Sequence, residues 1–112
     1  MRPTVYIVQE PMRRNRSTGE MEPSFDLTPA AAYGDLKIML PPGNVSLSPG
    51  PITAKLQHAL RNFNDDDFLL AIGDPRAYAT ATAIAAKFNR GRYTLLTWDR
   101  ETRAYIAVTY NI

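Results

Sequence analysis

Asp65-Asp66-Asp67-Phe68-Leu69-Leu70-Ala71-Ile72-Gly73-Asp74-Pro75 decides how the rest of this chain is read. The apolar run over 68–72 is too short for a helix, and acidic and Gly/Pro residues bound it, so it reads as a buried strand. Asp74 followed by Pro75 is an N-cap and a first-turn proline, which opens a helix directly after the strand. A strand that is apolar on both faces needs cover on both, and that implies a parallel or mixed sheet under helices.

Working outward, residues 75–88 are alanine-rich with Tyr78, Ile84 and Phe88, and Gly91 lies just beyond. This predicts a helix lying close on the sheet, with Lys87, Arg90 and Arg92 near its C-terminal end, where cations complement the helix dipole. On the other side, Ile52, Leu56, Ala59, Leu60 and Phe63 form one apolar stripe of an amphipathic helix over 52–63. Leu36-Lys37-Ile38-Met39-Leu40 before it is a strand, stopped by Pro41-Pro42-Gly43-Asn44. Thr28-Pro29-Ala30-Ala31-Ala32-Tyr33-Gly34 reads as a short helix with Thr28 as its cap. Thr4–Gln9 is β-branched and aromatic, hence a strand. The polar stretch 13–20 is a surface loop or the tip of a hairpin whose return arm spans 21–27. Residues 93–98 and 104–110 are two strands joined by Asp99-Arg100-Glu101-Thr102-Arg103. The expected fold is a single α/β domain over 1–112. Its sheet is mixed, with a central parallel βαβαβ unit and a C-terminal antiparallel hairpin. Thr4–Gln9 and 104–110 are both candidate exposed edges able to pair with another chain.

The 112 residues suit one domain, and 45% apolar with 21% charged composition is ordinary for a globular chain. A net charge of +2 permits a polyanionic partner without demanding one. With no cysteine there is no disulfide, thiolate metal site or Cys nucleophile. No apolar run approaches the ~20 residues that span a bilayer, and 5–8 is too short for a signal-peptide core, so no membrane association is expected.

Reaction chemistry is hard to find. His58, the one histidine, falls mid-helix off the apolar stripe, and no G-x-S-x-G accompanies it, so no catalytic residue is assigned. Neighbouring Asp65, Asp66 and Asp67 on an extended segment point apart, so they read as a solvated connector, and no metal or cofactor is expected. Neither standard glycine-rich phosphate loop is present. Gly73, Asp74 and Arg76 lie where open α/β sheets bind ligands, beside a helix N-terminus, and are a candidate nucleotide or small-molecule contact. The plainer reading makes Asp74 a cap and Arg76 a solvated first-turn residue.

The arginines carry more. Arg13, Arg14 and Arg16 form one cluster and Arg90 and Arg92 another. Arg100 and Arg103 flank the last turn next to Trp98 and Tyr105. Cations for the backbone and rings for the bases are what single-stranded nucleic acid needs. The function expected is therefore non-enzymatic binding of nucleic acid, with single-stranded DNA as the form that stacking favours and a homodimer open. The alternatives are a protein-interaction module and a nucleotide-binding domain.

Val5-Tyr6-Ile7-Val8-Gln9-Glu10-Pro11, Phe25-Asp26-Leu27-Thr28-Pro29-Ala30, Tyr33-Gly34, Leu40-Pro41-Pro42-Gly43 and Gly73-Asp74-Pro75 together resemble small accessory proteins encoded by tailed bacteriophages. The resemblance spans most of the chain and transfers no site residues. It implies a place in the host bacterial cytoplasm, with nucleic acid or a host or phage protein as partner.

Overall fold

The computed structural model describes residues 2–43 and 49–112. Strand β1 (Thr4–Gln9) is followed by a small antiparallel hairpin, β2 (Met12–Arg14) and β3 (Met21–Pro23). A 3-10 helix (Thr28–Ala32) leads into β4 (Asp35–Leu40). Then come α1 (Pro49–Ala59), β5 (Phe68–Leu70), α2 (Pro75–Phe88), β6 (Arg92–Asp99) and β7 (Ala104–Asn111). The main sheet runs β4-β1-β5-β6-β7. All neighbours are parallel except β6 and β7, which pair antiparallel from Arg92–Asn111 to Asp99–Ala104.

The α/β class, the parallel unit and the terminal hairpin are as the sequence implies. The placement of the first strand is not as expected. Thr4–Gln9 is no edge: β1 lies between β4 and β5, with Val5, Ile7 and Val8 fully buried. It therefore splits the βαβαβ trio, and the chain passes over β1 between β4 and β5. The reason is in the composition, since a six-residue strand with five buried positions loses most by standing at an edge.

Alternation along β1 divides the core. Tyr6 and Val8 face Leu56, Leu60, Phe63, Leu69, Ala77, Ala81, Ile84 and Ala85 on the helix side. Val5 and Ile7 face Leu27, Ala30, Leu70, Leu96 and Tyr105 on the hairpin side. The alanines let α2 approach β1 and β6 closely. Its start is as expected: Asp74 is the N-cap, accepting from the Arg76 N–H at 2.9 Å, with Pro75 next. Helix α1 begins and ends earlier than the stripe suggests. Leu60 and Phe63 reach the core from turns that continue it, through Leu60 N–H to Leu56 and Phe63 N–H to Leu60. Before the 3-10 helix, Asp26 rather than Thr28 holds the free N–H: its carboxylate accepts from Thr28 at 2.9 Å. The turn and lead-in expected at Asn44 and Ser48 lie outside the described residues. No helix among the described residues is long and apolar enough to cross a membrane.

Two buried polar side chains fasten β1 at its ends. At the amino end the Asp67 carboxylate accepts from Thr4 N–H (3.0 Å) and Asn64 N–H (3.1 Å). Asp67 is thus a structural acceptor and not part of a solvated connector. At the carboxyl end the Gln9 amide donates to the carbonyls of Pro41 (2.9 Å) and Gly43 (2.7 Å) and accepts from Asp74 N–H (2.9 Å). One side chain so ties the exits of β4, β1 and β5. Gly73 makes room for it, with φ +106 and a position where a Cβ would lie 2.6 Å from that of Gln9.

Candidate functional site

Because β1, β4, β5 and β6 run the same way, their carboxyl ends open on one end of the sheet. There the chain leaves β1 towards the hairpin side and leaves β5 into α2 on the helix side. Adjacent strands whose connections part in this way leave a crevice. It is occupied by a cleft of about 670 Å³ between Gln9, Met12, Met21, Gly43, Gly73 and Arg76. The helix N-terminus beside it is already satisfied within the chain. Asp74 caps it, and the Arg76 guanidinium meets the same carboxylate at 2.9 Å. That contact raises the Arg76 pKa above its ordinary value. Gly73, Asp74 and Arg76 are therefore brought together, but with charges turned on each other.

A second cleft, about 650 Å³, opens at the same end on the hairpin side. It is lined by Trp98 from the end of β6, Tyr105 from the start of β7, Ile72, Phe25 and Pro29, together with Arg100 and Asp26. The β6–β7 register sets Trp98 directly opposite Tyr105, and their rings meet edge to face at 5.0 Å. Tyr105 is buried beneath while Trp98 and Phe25 remain exposed. Burial, and then the nearby Asp26 carboxylate, push the Tyr105 phenol up from 10.0. Asp26 itself is held below the usual carboxylate range by its hydrogen bonds from Thr28.

Phe25 and Asp26 also line a shallow groove that contains Arg13, Pro23, Leu27 and Leu36. The two depressions share those residues, so one surface track runs from Arg13 past Phe25 to Trp98 and Arg100. On the hairpin Arg13 pairs with Glu22 at 3.2 Å, Arg14 donates to the Gly19 carbonyl at 2.8 Å, and Arg16 is exposed in the turn. Arg103, at φ 53, closes the β6–β7 turn at the same end.

Arg90 and Arg92 are elsewhere. They lie where α2 ends and β6 begins, and Arg92 reaches Asp65 at 3.6 Å. Seven strand steps separate Arg92 from Asp99, about 23 Å. The arginines named from sequence thus fall into two groups at opposite ends of the sheet. Asp65 and Asp67 turn apart, but from a turn and not from an extended segment: Asp65 meets Asn89 (2.8 Å) and Arg92, and Asp67 points inward to Thr4. Among the described residues no group of carboxylates and histidines could hold a metal ion.

Sequence reasoning missed Phe25 and Gln9. A lone aromatic after a proline in a polar stretch was the signal for the first. A glutamine ending an otherwise apolar strand was the signal for the second.

A family model for Phage Pam3 gp32-like protein matches residues 3–112. The chain belongs to that family. The phage resemblance read from the sequence is thereby established. No curated protein and no solved structure matches the chain.

Proposed function

We propose that this member of the phage family binds single-stranded nucleic acid along the track from Arg13 to Arg100. The observation that carries the reading is the exposed Trp98 ring, braced edge to face by Tyr105 and lining one cleft with Phe25 and Arg100. A base inserted there would stack on one or both rings, and each stacked base contributes about 1–3 kcal/mol. Arg13 at one end and Arg100 at the other would meet successive phosphates. A duplex keeps its bases paired and offers the rings nothing. The crevice at Gly73 is the weaker candidate, because Asp74 already occupies the helix N-terminus and neutralises Arg76.

Trp98 is the single tryptophan, so its own fluorescence reports on the site. Titration with single-stranded DNA should quench it, with affinity falling steeply as salt rises. Arg13→Ala combined with Arg100→Ala should flatten that salt dependence. Arg90→Ala with Arg92→Ala, at the far end, should leave it alone. No quenching at low salt would overturn the proposal and favour a protein partner, to be sought in nuclease-treated host lysate.

A further inference from the structure

The two edges of the main sheet differ in kind. Strand β4 carries Asp35, which meets Arg2 at 3.5 Å, and Lys37, whose ammonium lies over the Tyr6 ring and reaches the Ala59 carbonyl at 3.4 Å. Charges of this sort keep an edge from pairing with other chains. Strand β7 has none of them. Ala104–Asn111 contains no charged residue and no proline, and its eight residues pair with β6 without a bulge. Among the described residues no strand neighbours its outer side, and from the 3-10 helix the Tyr33 hydroxyl reaches the Tyr105 carbonyl.

The same strand bears an apolar stripe. Val108 opposes Leu95 and Tyr110 stacks on Tyr93, so Ile106, Val108 and Tyr110 lie on the helix side. Helix α2 packs on β1 and β6 and stops short of them. Their exposures are 46%, 39% and 44%.

We infer that β7 is a self-association edge, and that its occupant is β7 of a second copy, paired antiparallel about a two-fold axis at Val108. Two-fold pairing sets every residue against the same strand. A charge at the axis would meet its own copy, and a charge elsewhere would need an opposite one across the axis; the uncharged sequence of β7 incurs neither cost. With the axis at Val108, residue numbers of opposed pairs sum to 216. Val108 then faces its own copy, and Ile106 faces the copy's Tyr110, an aromatic–β-branched pair on both sides of the axis. Both stripes fall on the helix side, and two five-stranded sheets become one of ten strands. An eight-residue strand is about 26 Å long. An edge junction of that length buries less than the ~800 Å² per partner of a standard interface, so the dimer dissociates on dilution.

The chain has no cysteine, which makes a single-cysteine test clean. Under oxidation Val108→Cys should form a covalent dimer. Ala107→Cys, opposed to Thr109 in this register and on the other face, should not. Sedimentation velocity of the unmodified chain should show mass rising towards dimer with concentration. Val108→Lys should remain monomeric, and its circular dichroism should be unchanged because the side chain is exposed. A chain that stays monomeric at its highest soluble concentration, a dimer that survives Val108→Lys, or preferential cross-linking through Ala107→Cys would each overturn the inference.

Discussion

Strand β1 is held at both ends by a buried polar side chain, yet its two ends have opposite characters. At the amino end Asp67 gathers two backbone N–H groups, and the charges nearby are matched in pairs such as Asp65 with Arg92. At the carboxyl end Gln9 both donates and accepts, and the chain around it parts into two clefts. A carboxylate can only collect donors, so it closes an end where N–H groups converge. An amide can join carbonyls to an N–H, so it can hold three diverging loops at fixed separation. The open end is therefore tied across three strand exits by one side chain, and an end tied in this way is where a ligand site can be preorganised.

The largest expected effect tests the closed end. Asp67→Ala leaves two backbone donors without their charged acceptor and should lower stability by about 3 kcal/mol, read from the urea midpoint. Gln9→Glu sharpens the contrast. It keeps the acceptor for Asp74 N–H but removes the donors to Pro41 and Gly43, and should cost about 2 kcal/mol at neutral pH. If Gln9→Glu were neutral, the amide would not be the tie described here. Gly73→Ala attacks the same junction from outside. The new Cβ meets Gln9 at a positive φ, for about 1–2 kcal/mol of destabilisation in the same assay.

Trp98→Ala at the open end should move stability by less than about 1 kcal/mol, since the ring is exposed, while weakening single-stranded DNA binding at least tenfold. The smallest effects are in pH. Tyr105 has its folded pKa raised above 10.0, so its contribution is whole below pH 10 and is lost as pH rises from there through the folded value. Asp26 is lowered below 3.8, so its contribution is present above that value and lost as pH falls through the folded one. Tyr105→Phe should remove part of the alkaline loss in a thermal melt series, and Asp26→Asn part of the acid loss.

How much of this was legible in the sequence depended on distance along the chain. The Asp74 cap and α2 are local, each set by a few adjacent residues, and they stand where the sequence puts them, while the strand read over 68–72 is present but ends at Leu70. The β6–β7 hairpin is nearly as local, and its short turn fixes Trp98 against Tyr105. The position of β1 was not legible. Its apolar content says that it is buried, but nothing local says that it inserts between β4 and β5. The ties that Gln9 and Asp67 make to other strands were opaque for the same reason, since Gln9 meets Pro41, Gly43 and Asp74 and Asp67 meets Thr4 across 32 or more residues, and only the Asp67–Asn64 contact is local. At the candidate site the arginines near the turns could be named, but not their division between two ends of the sheet. That division follows from strand direction.

The placement of β1 also governs the order of events as the chain folds. Its contacts with Asp67 and Asp74 close loops of 63 and 65 residues. Until the segment around Phe68 arrives, β1 can pair only with β4, and one side of an almost wholly apolar strand stays open. Long-range closure of this kind is slow. A nascent or truncated chain that ends before β5 thus presents a sticky strand that the finished protein hides at its centre, and it is in that interval that the molecule is most exposed to aggregation.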